Sequence, residues 1–293
     1  MRQAVLIFAC FSGLCAGSLV SGQSTISDKP LELSTSSGIW AALLPGYELG
    51  VDANGATAFR DNLDDVGTIS QLKLVRRFLG TRTSFELKGF YANAESLTRS
   101  GLVGIDIPSP ITGANSGFSL GRPSVRSEVD HYGVDIALRD TWRTSIGGLS
   151  AGGAFSYMAF DQDFDLDYGP TQLFRETLES DLRGGKAFVG WDGCWRGRQT
   201  NIDFAVGAFD MNVDYGFDGQ TIPGSLSTEF QDTVYTFESS FTTRTTLFGY
   251  QVAWTLGATY FSDLPLIEHN VGSPATINTD DAVTISGLLE FSI

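Results

Sequence analysis

The sequence predicts an all-β protein, a transmembrane antiparallel up-and-down β-barrel of about ten strands, with a range of eight to twelve. Apolar and polar residues alternate over many stretches, which puts one set on each face of a strand. After the first 22 residues no run of about 20 apolar residues occurs, so membrane helices are excluded. Only 18% of the residues are charged, below the roughly 25% of soluble domains. A spanning chain without such helices must pair its backbone between strands, which requires a closed barrel.

The amino-terminal segment predicts a cleaved signal peptide, residues 1–22. Arg2 provides the positive start, residues 4–19 are mostly apolar, and small residues end at Gly22. Neither early cysteine follows a lipoprotein-type motif. We therefore expect residues 23–293 to form a single barrel domain, in which Cys194 is the one cysteine and no disulfide forms.

Ten strands follow from the alternation, separated by turn residues. The predicted strands are 38–52, 66–79, 82–95, 129–143, 148–163, 172–191, 200–215, 229–245, 249–263 and 281–293. Connections after the even-numbered strands are short, as at 80–81 and 144–147, whereas those after odd-numbered strands include the long segments 96–128 and 264–280. Short periplasmic turns and longer extracellular loops are typical of transmembrane barrels.

The apolar parity changes within the fifth and seventh predicted strands. Phe155 and Tyr157 lie on one parity, whereas Met158 and Phe160 lie on the other. Gly-Ala pairs recur in both strands, so either a β-bulge near these glycines or a misplaced strand boundary would explain the change.

The last predicted strand has an alternating apolar pattern at the carboxyl terminus. Ile285, Leu289, Phe291 and Ile293 alternate up to the last position, and this resembles the carboxyl-terminal signal of outer-membrane β-barrel proteins. Members of that group usually end in Phe or Trp, whereas this chain ends in Ile293. The resemblance implies insertion by the barrel-assembly machinery through this strand. It also implies a lipid bilayer as partner, in the outer membrane of a Gram-negative-type bacterium.

Charged residues on the polar parities are candidates for the barrel interior. They are Glu86, Lys88, Asp135, Arg139, Arg143, Glu179, Asp181, Arg183, Glu238, Arg244 and Glu290. Barrels of about eight strands are filled by side chains, so ten strands favour an interior ion-pair network. The alternative is a narrow charge-lined pore whose rings set ion selectivity.

An acidic ladder marks the outer ends of two strands. Its members are Asp161, Asp163, Asp165, Asp167, Asp210 and Asp214. This acidic rim would concentrate cations. Calcium is a weak candidate at Asp161, Asp163 and Asp165, because the EF-hand template fails at its glycine and glutamate positions. No other cofactor is expected, and a net charge of -15 excludes nucleic acid as a partner.

Catalysis is not expected. The pairs Asp130-His131 and Glu268-His269, with Asp64-Asp65 and Asp280-Asp281, resemble the omptin proteases in residue types alone. Adjacent residues point to opposite faces of a strand, whereas the omptin pairs are separated by one residue. Both histidines are expected at the outer rim.

Aromatic residues near strand ends predict a membrane-interface girdle. They are Trp40, Tyr47, Trp142, Trp191, Trp195, Phe248, Tyr250 and Tyr260. Taken together, the sequence favours a porin-like barrel that passes small hydrophilic solutes or ions, with a mild cation preference. The alternative is a non-conducting structural or adhesin-type barrel with a plugged interior, for which segment 96–128 is the expected binding surface.

Overall fold

The computed structural model describes residues 31–51, 57–61, 64–99, 106–114, 122–222, 224–247, 250–269 and 272–292. The predicted signal peptide, residues 1–22, lies outside these ranges, as do Phe248 and Ile293. Within them, no helix has the length and apolar character needed to cross a membrane.

The described chain forms strands that close into one ring. They are β1 (Leu31–Leu43), β2 (Tyr47–Val51), β3 (Thr57–Asp61), β4 (Asp64–Arg77), β5 (Thr83–Arg99), β6 (Pro123–Thr144), β7 (Gly147–Tyr168), β8 (Thr171–Trp195), β9 (Arg198–Gly219), β10 (Ser225–Leu247), β11 (Tyr250–Glu268) and β12 (Thr276–Ser292). Ten of them, β1 and β4 to β12, pair antiparallel, and β1 closes the ring on β12. The predicted up-and-down barrel of ten strands is therefore confirmed.

The remaining strands, β2 and β3, form a hairpin outside the ring. It follows β1 and touches β11 through one parallel bridge between the backbones of Glu48 and Glu268. The hairpin therefore lies at the end of the barrel opposite the short turns at Gly80, Ile146 and Gly197. In this class of barrel the short turns face the periplasm, so the hairpin is extracellular.

Strands β6 to β10 run 22 to 25 residues, longer than predicted. The chain between β7 and β8 is only Gly169-Pro170, because the strands extend where a loop was expected. A tilted strand crosses a bilayer in about 9–11 residues, so half of each long strand projects beyond the membrane. We call this projecting part the outer half of the barrel, and the part nearer the short turns the membrane half.

The inside–outside pattern inverts between the two halves. In the membrane half of β7, Phe155 faces outward with 60% of its surface exposed. In the outer half of the same strand, Phe164 and Leu166 are buried in the interior, whereas Asp163 and Asp165 face outward. Lipid surrounds one half and water surrounds the other, so apolar side chains change sides.

This inversion explains the change of parity seen in the sequence. The pairing of β7 with both neighbours is unbroken through its glycines, and so is that of β9. The β-bulge interpretation is therefore wrong at these positions. The register shifts lie elsewhere, between Leu166 and Asp167 of β7 and between Phe261 and Leu264 of β11.

A girdle of tyrosines marks the boundary between the halves. Its members face outward from β5, β6, β7, β10 and β11, and they are Tyr91, Tyr132, Tyr157, Tyr235 and Tyr260. Tyr91 donates to Asp130 at 2.6 Å, and Tyr157 donates to Asp181. Because phenol rings favour lipid and carboxylates favour water, these pairs locate the extracellular membrane surface.

Candidate functional site

The barrel interior contains a polar cavity in the membrane half. Its volume is about 1500 Å³, and it is reached from the end that carries the short turns. Toward the outer half it ends at a layer of large buried side chains, which we call the seal: Trp40, His131, Phe160 and Phe261.

One ion-pair network crosses the cavity wall from β4 to β9. Arg139 Nη1 donates to Asp203 Oδ1 at 2.7 Å, and Arg139 Nε lies 2.9 Å from Glu86 Oε1. Lys73 Nζ lies 3.2 Å from the other oxygen of Glu86. Each carboxylate is thus compensated by a cation, as a poorly solvated interior requires.

A second network centres on Lys186 of β8, whose side chain is 5% exposed. Its Nζ lies 3.1 Å from Asp135 Oδ1 and 2.7 Å from Glu238 Oε1. Ser156 also donates to Asp135. A single ammonium therefore holds together strands β6, β8 and β10 across the interior.

Most of the predicted interior charges line this cavity. They are Glu86, Lys88, Asp135, Arg139, Arg143, Glu238, Arg244 and Glu290. The interior placement is wrong for Glu179, Asp181 and Arg183, which face outward. These three belong to the outer half of β8, where water surrounds the barrel and the interior is apolar.

The seal contains one of the two histidines. His131 stacks on Phe160 with ring centroids 3.8 Å apart, and its Nδ1 hydrogen bonds with the backbone oxygen of Ala159 at 2.9 Å. Trp40 also stacks on it, and Phe261 meets it edge-on. The expectation that His131 lies at the outer rim is therefore wrong, because its side chain points from β6 into the barrel and is buried in the seal.

Above the seal, the interior of the outer half is a largely apolar core that includes the buried carboxylate of Glu176. Glu176 of β8 has no exposed side-chain surface. Tyr215 donates to its Oε1 at 2.6 Å, and Tyr47 donates to Oε2. His269 Nε2 lies 3.0 and 3.1 Å from its two oxygens. We call these four residues the buried cluster, and it ties β8 and β9 to the segments that follow β1 and β11.

Burial and hydrogen bonding have opposite effects on the pKa of Glu176. Burial alone raises its pKa, but the charge of His269 and the donors of His269, Tyr215 and Tyr47 together hold that pKa below its ordinary value. Burial beside the Glu176 carboxylate raises the pKa of Tyr215. The carboxylate therefore stays ionised, and Tyr215 stays a hydrogen-bond donor.

A carboxylate beside an imidazole is a common acid–base pair in enzymes. Here the His269 side chain is 1% exposed and packs edge-on against Tyr47, so a substrate cannot reach it. Glu268, its neighbour in sequence, instead accepts from Asn278 at 3.1 Å. The structure thus gives His269 a partner that sequence adjacency did not indicate.

The described carboxylates of the two acidic pairs considered for catalysis have different environments. Asp65 is buried and accepts from Ser127 at 3.3 Å. Asp280 is exposed and caps the backbone of Asp281. The side chain of Asp64 lies outside what the structure describes.

The acidic ladder lies on the outward face of the outer half. The carboxylates there are Glu128, Asp130, Asp161, Asp163, Asp165, Asp167, Glu179, Asp181, Asp210, Asp214, Asp218 and Glu229. Arg175 pairs with Asp163 at 2.9 Å. Partial burial, with Glu179 and Asp130 nearby, raises the pKa of Asp161. We call this surface the acidic outer face.

The ladder therefore points away from the barrel axis and does not ring an inner mouth. In the described residues, no group of three or more His, Cys, Asp or Glu side chains is arranged to hold a metal ion. A calcium site at Asp161, Asp163 and Asp165 stays a prediction.

The predicted aromatic girdle divides between two roles. Trp142 is exposed, Trp191 is partly exposed two strands away, and Trp195 contacts Phe241, all near the periplasmic end. Trp40 and Tyr47 instead lie inside the barrel, where the former belongs to the seal and the latter binds Glu176. Their expected interface role is wrong because both face the interior. The side chain of Tyr250 lies outside the described residues.

Sequence reasoning missed several interior charges, namely Glu176, Lys186 and Asp203. Lys186 and Asp203 share the parity of other cavity residues, Phe188 and Asn201, so a correct phase for β8 and β9 would have identified them. Glu176 shares its parity with the apolar Phe174 and Leu178. A lone carboxylate on an apolar face is a signal for a buried polar contact.

Comparison with known proteins places this architecture among outer-membrane β-barrels. The outer membrane protease OmpT from Escherichia coli is similar with a TM-score of 0.56 and 7% identity, over 92% of this chain and 99% of that one. The translocator domain of the autotransporter NalP from Neisseria meningitidis is similar with a TM-score of 0.50 and 8% identity, over 99% of this chain and 94% of that one.

No family model matches the sequence, and no curated protein does. The comparisons therefore show the fold of an outer-membrane β-barrel.

Proposed function

We propose that this chain is a non-conducting outer-membrane barrel that holds a rigid extracellular sheet above the bilayer. The observation that supports this most is the filling of the interior. The seal and the apolar core behind it occupy the barrel where a pore would have to continue. Such packing resembles a protein core, whereas a conducting barrel keeps a water-filled path.

The predicted porin-like pore would need a continuous polar path. The cavity supplies the periplasmic part of such a path, but apolar side chains that include Phe164, Leu178 and Met211 fill the barrel beyond the seal. The mild cation preference was inferred from an acidic mouth, whereas the acidic residues face outward. Both observations favour the alternative of a plugged barrel with a binding exterior.

The acidic outer face is the part of the barrel best placed to bind. It stands on paired strands, so it is rigid, and among the described residues its carboxylates outnumber its arginines, which include Arg99, Arg126, Arg175 and Arg183. A partner with a cationic surface would be attracted to it. The buried cluster serves this function by fixing the outer half. Enzymatic activity is not proposed, since both members of the Glu176–His269 pair are inaccessible.

Single-channel recording tests whether the barrel interior is closed to ions. Mature protein, folded in detergent and verified by its heat-modifiable gel mobility, is added to a planar bilayer. We expect no discrete current steps, because ions cannot cross the apolar core. A general porin added afterwards to the same membrane shows that the recording detects channels. Regular steps from the folded chain would refute the proposal and restore the narrow pore.

Cysteine labelling tests the same point in cells. A single cysteine is introduced into a Cys194→Ser background, either as Thr255→Cys or as Thr177→Cys. Thr255 lies on the cavity wall, and Thr177 faces outward from the outer half. A maleimide too large for general porins should label position 177 on intact cells and position 255 only after the outer membrane is permeabilised. Labelling of position 255 on intact cells would mean that the interior opens outward.

A further inference from the structure

The cavity of the membrane half is a blind chamber that opens to the periplasm. Because the seal closes its far end, a molecule that enters it must come from the periplasmic side and leave by the same route. Its volume, about 1500 Å³, exceeds the roughly 300–1,000 Å³ typical of small-molecule pockets. Its size thus suits a segment of polypeptide better than a metabolite.

Deep in this chamber the charges compensate one another. Arg139 is held by Glu86 and Asp203, and Lys186 is held by Asp135 and Glu238. Because these groups form ion pairs with one another, they can hydrogen bond with a bound molecule but contribute little net charge to its binding.

The mouth of the chamber is different. Arg82, in the turn after β4, and Arg143, at the end of β6, are exposed and line the opening. Among the described residues, neither guanidinium lies within 4.0 Å of a carboxylate. Two further arginines that line the cavity have acidic partners: Arg77 lies 3.8 Å from Glu32, and the charge of Arg244 interacts with that of Asp192. The mouth therefore carries uncompensated positive charge on neighbouring strands.

We propose that this chamber binds an acidic peptide segment of a periplasmic protein. Carboxylates of the segment would pair with Arg82 and Arg143 at the mouth, since guanidinium groups bind carboxylates in a bidentate geometry. Its backbone and polar side chains would hydrogen bond with the chamber wall. This site goes beyond the closed-barrel function and uses the opposite end of the molecule from the acidic outer face.

Fluorescence anisotropy with defined peptides tests the site on the whole folded barrel in zwitterionic detergent. A fluorescein-labelled pentaaspartate should bind, although the protein carries a net charge of -15. Arg82→Gln with Arg143→Gln should weaken this binding roughly tenfold or more, the loss expected for one or two charge-assisted hydrogen bonds. Added salt should weaken the wild-type complex.

A matched pair of substitutions separates the mouth from total charge. Arg126→Gln with Arg175→Gln removes two positive charges from the acidic outer face and should leave pentaaspartate binding within about twofold. In the Thr255→Cys variant, bound peptide should also slow labelling inside the chamber. Absence of pentaaspartate binding, equal losses in both arginine pairs, or unprotected labelling at position 255 would each overturn the proposal. None of these outcomes depends on whether the barrel conducts ions.

Discussion

Replacing Lys186 with methionine is expected to lower the free energy of unfolding of the barrel by about 3–5 kcal/mol. Lys186 is the shared cation of Asp135 and Glu238, at 3.1 and 2.7 Å, and its side chain is 5% exposed. Methionine keeps much of the volume but removes the ammonium that contacts both carboxylates, so Glu238 loses this partner and Asp135 keeps only the more distant charge of Lys88. Urea titration in lipid vesicles, followed by tryptophan fluorescence, measures the change.

Lys73→Met is the matched control for this substitution. Lys73 also contacts an interior carboxylate, Glu86, but its side chain is 39% exposed and Glu86 keeps Arg139 as a second partner. The expected loss is therefore about 1 kcal/mol or less. Combining Lys186→Met with Asp135→Asn and Glu238→Gln should recover much of the stability, because both carboxylates that lost the Lys186 ammonium are then neutral. A Lys186→Met loss no larger than that of Lys73→Met would show that the network is not the main constraint on these strands.

Glu176→Gln is expected to lower the free energy of unfolding at pH 7 by about 3 kcal/mol or more, because the charge that pairs with His269 is lost. The pH dependence follows from the lowered pKa of Glu176. A carboxyl group whose pKa is lower in the folded state stabilises that state above its unfolded pKa, near 4.3. This stabilisation is lost as the pH falls through the lowered folded-state pKa. The wild type should therefore lose in acid the advantage that it holds over Glu176→Gln at neutral pH.

Urea unfolding of both proteins from pH 7 down to pH 3 measures this difference. Glu179→Gln, a carboxylate on the exposed outward face of the same strand, is the control and should change stability by about 0.5 kcal/mol or less. A constant gap between wild type and Glu176→Gln across this range would contradict an ionised Glu176 in the folded barrel.

The class of fold was predictable because a membrane-spanning strand has a strict pattern. Alternation over segments such as 129–143 determined that β6 faces lipid on one side and the interior on the other, and apart from the position of His131 its residues lie as expected. The even strand count and the short turns followed from the same alternation. Backbone pairing in a bilayer allows few other solutions, so local sequence carried this information.

The position of the membrane along each strand was not predictable in the same way. Period-two alternation assigns residues to two faces but does not say which face is wet. In the outer half of β8, Glu179 was assigned to the interior, whereas the structure exposes it and buries its neighbour Leu178 in the interior. The reversal depends on how far β6 to β10 project above the tyrosine girdle, which only the assembled ring shows.

The sequence by itself determined the barrel, its approximate strand number and most of the charges that line its membrane half. Only the tertiary structure decided whether the barrel is open, since that depends on side chains from distant strands meeting across the axis. Trp40, His131 and Phe261 are far apart in sequence, yet they form one seal. Glu176 and His269 are separated by 93 residues and make the buried ion pair. Such contacts arise from the closure of the ring, and the alternation within a single strand does not predict them.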